Sequence, residues 1–379
     1  MRKKQAPCFQ RMLSPHLLYQ LALTVIPGIG PVQARILLQH CDADEIFYAK
    51  KSFLEKIEGI GPSRAAAITA FRDFTMLENE IRFIERQQIQ PLFITDADYP
   101  KRLLNCYDSP VLLFYKGRAN LNAQKIVAIV GTRKNTDYGK QVTETIVHEL
   151  ASQNVLVISG LAFGIDAIAH RAALENKLST IGVLAHGLDQ LYPGEHAHLA
   201  RDMTKTDGGL LTEFRSNTKP DRHNFPGRNR IVAGMSDAIL VIETAIKGGS
   251  MITAELANGY NKDVFAVPGR LTDRKSAGAN WLIKNNKAMI FTSVNELVQA
   301  MGWDMTASST RKILQRKMFI ELSSDEQRVI QVLQEKDKTA IDELNQKSGL
   351  STSAVAASIL NLELQGLILS LPGKIYRLA

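Results

Sequence analysis

Between residues 125 and 300, short apolar runs alternate with amphipathic stretches of period about 3.6, strand and helix taken in turn. The runs fall at 126–130, 155–158, 180–184, 209–213, 238–242, 263–267 and 288–291. Strands separated by helices predict an α/β fold: an extended Rossmann-like, doubly wound, mostly parallel sheet covered on both faces. Residues 76–120 read as a bridge that packs on this domain, with a helix to about Gln87, a short strand around Leu92–Ile94 and another near Val111–Tyr115.

Residues 16–72 hold an internal repeat. Ile26-Pro27-Gly28-Ile29-Gly30-Pro31 with Ala34 is echoed by Ile57-Glu58-Gly59-Ile60-Gly61-Pro62 with Ala65. Each copy lies between helical patterns and predicts a helix-hairpin-helix unit, whose glycines permit the turn and whose second helix offers free N–H groups to a phosphate. Two copies can straddle a duplex without reading its bases. Only Gln33 and Arg64 give polar reach beside the hairpins, so a purely structural helical module stands as the alternative.

At the other end, helical patterns at Asp325–Gln334, Ala340–Lys347 and Ser353–Gln365 precede two short strands around a Pro372-Gly373 turn. That is the pattern of a winged helix. Its third helix begins Ser351-Thr352-Ser353-Ala354-Val355-Ala356-Ala357-Ser358 with no basic residue, which points away from base readout and towards a protein-contact or structural role. The expected domains are 1–75 (helix-hairpin-helix), 76–302 (Rossmann-like), a polar linker at 303–322 and 323–379 (winged helix).

Composition changes the picture in three places. A chain of 379 residues with 45% hydrophobic content is a globular protein of several domains. Its 46 Lys and Arg against 38 Asp and Glu leave a formal charge of +8, which favours anionic partners. Cys8, Cys41 and Cys106 are odd in number and show no C-x-x-C spacing, so neither a disulfide framework nor a zinc site is expected. Arg2, Lys3 and Lys4 before the apolar run Leu17–Ile26 imitate a secretory signal. His16, Tyr19 and Gln20 interrupt that pattern, and it ends in Pro27-Gly28, so a soluble cytoplasmic protein is expected.

The candidate chemistry sits at the strand exits, where an open α/β sheet binds its ligands. Gly131-Thr132-Arg133-Lys134 follows the first run, Ser159-Gly160 the second and Lys247-Gly248-Gly249-Ser250 the fifth, while Phe225-Pro226-Gly227-Arg228-Asn229-Arg230 precedes the fifth as a loop. Glycine turns expose N–H donors, and Arg133, Arg228, Arg230 and Lys247 gathered at one edge would grip phosphates, with Phe225 or Phe163 stacking a base. Any one of these cations could instead pair with Glu213, Asp221 or Glu243. No G-x-G-x-x-G follows the first strand and no acidic residue ends the second, which argues against dinucleotide binding, and Gly139-Lys140 lacks Walker A spacing, which excludes P-loop hydrolysis. Asp166 and His170 are spaced to share a metal, but capping and packing roles are favoured. An enzymatic alternative stays open. Gly248-Gly249-Ser250 leading to Thr253 and Glu255 resembles the pattern of phosphoribohydrolases of the lysine-decarboxylase-like type, with Arg228 and Glu243 as a charge pair.

Five ordered motifs carry a broader resemblance. They are Val130-Gly131-Thr132-Arg133; Ser159-Gly160-Leu161-Ala162-Phe163-Gly164-Ile165-Asp166 with Ala169-His170; Phe225-Pro226-Gly227-Arg228-Asn229-Arg230 through Gly234; Lys247-Gly248-Gly249-Ser250 with Thr253-Ala254; and Val264-Phe265-Ala266-Val267-Pro268-Gly269. With the hairpins in front and the winged helix behind, nearly the whole chain resembles the DNA-processing protein A family, DprA, also called Smf. The resemblance implies a non-enzymatic protein that binds single-stranded DNA during natural transformation, shields it and helps load the RecA recombinase. It also implies a homodimer formed through the Rossmann-like domain, with no catalytic residue, cofactor or metal. Position by position, the implied pocket uses Gly131, Thr132, Arg133, Ser159, Gly160, Arg228, Asn229, Arg230, Lys247, Gly249 and Ser250. Thr132 and Gly248 stand where that family commonly has serine, and Asn261-Lys262-Asp263 replaces its glycine-arginine approach to the last motif.

Overall fold

The computed structural model describes residues 15–303, 322–336, 338–365, 367–371 and 374–378. The chain divides into two compact units, 1–304 and 305–379. Apart from its two end residues, the linker expected at 303–322 lies outside the described residues.

The first unit opens with α1 (Pro15–Leu23), α2 (Pro31–Leu38), α3 (Glu45–Tyr48), α4 (Lys51–Leu54) and α5 (Gly61–Ala70). The expected hairpins join α1 to α2 and α4 to α5. Each needs a turn that L side chains resist: Gly28 and Gly59 take φ of 78° and 84°. Ile29 and Ile60, the apolar residues inside the hairpins, are buried. The apolar run that imitates a secretory segment forms α1, whose Leu17, Leu21 and Leu23 join this core. Fully burying such a leucine is worth roughly 1.5–3 kcal/mol. Both polar side chains beside the hairpins are used within the module. Arg64 donates to the carbonyls of Gly28 (2.9 Å) and Gly59 (3.1 Å), and Gln33 Oε1 accepts from Gly30 N (3.2 Å).

The chain continues through α6 (Thr75–Arg86), β1 (Gln90–Phe93), α7 (Lys101–Leu104) and β2 (Leu112–Gly117). Strand and helix then alternate as expected: β3 (Ile126–Val130), α8 (Asp137–Leu150), β4 (Leu156–Ser159), α9 (Ile165–Glu175), β5 (Thr180–Val183), α10 (Ala197–Lys205), β6 (Gly209–Thr212), α11 (Asn224–Met235) and β7 (Ala238–Val241). The unit closes with α12 (Gly249–Gly259), β8 (Asp263–Ala266), α13 (Ala277–Lys284), β9 (Met289–Ile290) and α14 (Val294–Ala300).

These strands make one sheet in the order β1-β2-β6-β5-β4-β3-β7-β8-β9. From β6 to β9 every neighbouring pair is parallel, while β2 joins β6, and β1 joins β2, antiparallel. The bridge thus enters the sheet as its edge. From β3 the chain winds outward to β6, returns through α11 and continues on the other side as β7, so β3 and β7 form the switch point. Helices α8, α9 and α14 cover one face, and α7, α11, α12 and α13 the other. Phe93, Leu112 and Phe114 share the core of the N-terminal helices, which ties that module to the sheet edge.

One stretch corrects the loop expectation: Phe225–Arg230 lies in the first turns of α11. A Pro-Gly pair reads as a turn, but Pro226 falls where a helix has no intrahelical N–H bond to lose.

At the opposite edge, Asp237 clamps the starts of β3 and β7. Its carboxylate accepts from Arg102 Nε (2.6 Å) and Nη2 (2.8 Å) and from Ile126 N (2.8 Å). On α9, Asp166 and His170 do not converge on a shared ligand. His170 Nδ1 lies 2.7 Å from Thr180 Oγ1, whose hydroxyl also reaches Val157 O, and Nε2 has no partner among the described residues. Burial, with His196 and Arg228 nearby, pushes this imidazole down to about 3.

The second unit contains α15 (Ser324–Glu335), β10 (Thr339–Ala340), α16 (Ile341–Ser348), α17 (Thr352–Leu364), β11 (Ile368–Leu371) and β12 (Ile375–Leu378). It is a winged helix whose sheet has the order β10-β12-β11, so a short strand is added to the expected hairpin. Ser323 and Glu326 form a capping box at α15, and Val329, Leu333, Leu344, Val355 and Leu362 make the core.

Two outcomes follow from these buried polar groups. Asp237→Ala leaves the Arg102 guanidinium and Ile126 N without their acceptor, and is expected to cost about 2 kcal/mol in urea unfolding. His170 has a folded pKa of about 3 below its ordinary 6.5, so the stability it contributes is complete above pH 6.5 and drains away as pH falls towards 3. Between pH 7 and pH 4 the native chain should therefore lose on the order of 3 kcal/mol more than His170→Leu does, read from urea midpoints at the two pH values.

Candidate nucleic-acid interface

At the switch point a cleft of about 330 Å³ opens on the carboxyl edge of the sheet. The exits of β3, β4 and β7 and the first turns of α11 and α12 wall it. Helices in this fold start at this edge, so their positive ends face the cleft. The N-cap of α12, Gly248, makes no side-chain cap bond, which leaves the first-turn N–H groups of Gly249 and Ser250 available to an anion.

Arg228 dominates the floor. Its side chain is only 5% exposed, and its guanidinium donates to Gly160 O and to Val183 O, the latter at 2.8 Å. Burial pulls this guanidinium's pKa down, and Asp166 opposes that pull. Burial pushes Asp166 up, while Arg228 and the N–H groups of Ala162 and Gly160 hold it down. Those N–H groups lie 3.3 and 3.2 Å from Asp166 Oδ2. Asn229 links the two helices across the cleft, accepting from Arg228 Nε (3.0 Å) and donating to Gly249 O (3.4 Å).

Above Arg228 lies Phe225. The Arg228 and Arg133 guanidinium carbons stand 5.7 and 5.1 Å from the centroid of its ring. Cation–π attraction of this kind is worth roughly 0.5–2 kcal/mol per contact. Arg133 itself is exposed, so two guanidiniums at different depths flank one aromatic ring at the mouth of the cleft.

Of the residues expected from the sequence, Gly131, Thr132, Arg133, Gly160, Phe225, Arg228, Asn229, Gly249 and Ser250 line the cleft together. Three do not. Ser159 is fully buried and donates to Ile129 O at 2.6 Å, tying β4 to β3. Arg230 faces away, bonded to Glu213 and to Asp108 O, because two residues on a helix lie about 200° apart. Lys247 stands exposed in the turn between β7 and α12, beside the lining and without an ion pair among the described residues. Phe163 flanks the mouth with its ring 5.0 Å from that of His196. His186 is buried, its Nδ1 2.9 Å from Gly187 O and its Nε2 accepting from Tyr192 N at 3.1 Å.

Arg222 also lines the cleft, although sequence reasoning passed over it. The available signal was its place three residues before Phe225, masked by the neighbouring Asp221. The charge pair required by the enzymatic alternative is absent among the described residues. Glu243 is fully buried and accepts from Thr136 N (2.9 Å) and Thr136 Oγ1, while Glu255 is exposed and reaches Lys287 at 3.8 Å.

Comparison with known proteins agrees with this architecture. The family model described as DNA recombination-mediator protein A matches residues 90–302. A SAM-like helix-hairpin-helix tandem matches 21–71 and a DprA winged helix domain 320–374. Protein Smf of Synechocystis sp. is 33% identical over 395 residues, covering 95% of this chain and 98% of its own. The X-ray structure of DNA processing protein A from Streptococcus pneumoniae superposes with a TM-score of 0.63 at 31% identity, over 76% of this chain and 98% of that one. A DNA processing protein A from Helicobacter pylori, whose structure is described by its single-stranded DNA binding mode, gives 0.52 at 32% identity, over 57% of this chain and 97% of that one. Matched in its Rossmann-like domain and along nearly the full length of a curated relative, the chain belongs to the DNA recombination-mediator protein A family, the DprA or Smf proteins.

Proposed function

We propose that this protein binds single-stranded DNA without sequence preference, protects strands entering the cell and promotes RecA loading in natural transformation and recombination. It does so as a binding protein, with no turnover of its own. The observation that carries this reading is the meeting of Arg133, Arg228 and the uncapped start of α12 around Phe225 in one cleft. Cations and N–H donors hold phosphate oxygens, and an aromatic face accepts any base. The Helicobacter pylori relative, described as binding single strands, supports the assignment of ligand.

The RecA and transformation roles are carried over from the family. Dimerisation through the Rossmann-like domain fits the edge strand β9, where Met289 and Ile290 are 43% and 50% exposed. Duplex contact at the hairpins would rest on backbone N–H groups, because Gln33 and Arg64 are engaged within the module. Among the described residues, no helix is long and apolar enough to cross a membrane.

Arg133→Ala, Lys247→Ala and Phe225→Ala should each weaken binding of a labelled single strand by about 1–3 kcal/mol. The two charge removals should also lower the salt slope by roughly 0.7 each; Lys247→Ala should leave thermal unfolding unchanged, and Arg133→Ala should lose only its contact with Phe225, about 0.5–1 kcal/mol. Unaltered affinity in all three would remove the cleft from the function. Incubation with nucleoside monophosphates should release no free base; release that Glu255→Gln abolishes would favour the hydrolase instead.

A further inference from the structure

Past the cleft, the same rim of the sheet carries cations that neither the fold nor the pocket uses. Lys134 follows Arg133 on the exit of β3, and Arg270 and Arg274 lie between β8 and α13. All three side chains are exposed and make no hydrogen bond or ion pair among the described residues. Among them stands Tyr138, in the first turn of α8, 49% exposed, with its hydroxyl donating to Pro268 O at 3.3 Å. That bond sets the ring beside the start of the Arg270 segment.

The segment is held at both ends. Gly269 N and O bond the Asn280 amide at 3.1 and 2.9 Å. Gly278 N donates to Thr244 O at 2.8 Å, and Thr244 lines the cleft. Patch and cleft therefore share a wall. At the tip, Leu271 is 95% exposed, an apolar side chain left wholly to solvent. The acidic groups on the elements of this rim include Asp137, Glu144, Asp273 and Glu243, the last buried and bonded to Thr136. Asp273 accepts from Lys275 N at 2.9 Å, and Glu144 reaches Lys140 at 3.8 Å.

We propose that a single strand seated in the cleft continues over the β8 side of the rim, with its phosphates on Lys134, Arg270 and Arg274 and a base against Tyr138. The inference rests on reading the cleft as a single-strand site, and it adds a second contact zone of the same chemistry. Unpaired guanidiniums keep their full charge for phosphate, and a tyrosine face stacks any base. Anchoring at Gly269 and Gly278 means that little segment order has to be gained on binding.

The test uses the full chain and fluorescent oligothymidylates of about five and about twenty nucleotides, titrated over a salt series. Arg270→Ala with Arg274→Ala should weaken the long strand on the order of tenfold and lower its salt slope by roughly 1.4, leaving the short strand bound as before. Tyr138→Leu should weaken the long strand alone. Lys177→Ala, at the turn leading into β5 on the far edge of the sheet, is the control for net charge. Unchanged long-strand binding, equal losses for both lengths, or an equal effect of Lys177→Ala would overturn the second zone while leaving the cleft in place. Failure of the native chain to bind the short strand would overturn both.

Discussion

A buried guanidinium sets the terms for everything around it. Taking Arg228 out of water costs several kcal/mol unless charge and hydrogen bonds compensate. Here the compensation comes from Asp166 and from two backbone carbonyls, Gly160 O at the end of β4 and Val183 O at the end of β5. Asp166 in turn is stabilised by N–H groups of the loop after β4. One side chain of α11 therefore fixes two strand exits and the loop between β4 and α9. The loop sequence follows from this, since a Cβ on Gly160 would fall on the Arg228 guanidinium.

The same economy extends outward from α11. Arg230, on the other side of the helix, binds Glu213 and Asp108 O, which holds the segment leading into α11 against the stretch before β2. Glu80 of α6 accepts from Ser216 N at 2.9 Å and from Ser216 Oγ in that same segment. Arg35 of α2 donates to Cys106 O, to Ser109 Oγ at 3.4 Å and to Leu104 O at 3.3 Å. The N-terminal helices thus brace both approaches to the helix that carries Phe225 and Arg228. Shared apolar packing with β1 and β2 completes the brace.

The alternation of strands and helices was legible because buried strands and amphipathic helices leave opposite periodicities in the sequence. The edge at which glycines and cations collect was legible too, since strand exits in such a sheet face one way. What failed was the direction of individual side chains. Phe225–Arg230 reads as a loop through its Pro-Gly pair, and in a loop Arg228 and Arg230 point together; in the helix they point apart. Ser159 was placed with Gly160 because the two are adjacent, yet neighbours at a strand end face opposite sides of the pleat. Burial decided the rest: nothing local distinguishes Arg228, sunk beneath Phe225, from Arg133 above it.

Depth also separates two electrostatic tasks. Arg228 cannot leave or swing, so it gives the cleft a permanent positive floor that salt screens poorly. Arg133 and Lys247, standing in solvent, contribute charge that ionic strength weakens and that can follow a moving ligand. Two polar side chains of the cleft are engaged within the protein: Asn229 is bonded to Arg228 and Gly249, and Asp166 to Gly160 and Ala162. A strand held here meets cations, N–H donors and an aromatic face, none of which distinguishes one base from another. On the proposed function, weak sequence preference is favoured by how the cleft is held together: Asn229 and Asp166, two side chains able to bond a base edge, are committed to Arg228 and to the loop around it.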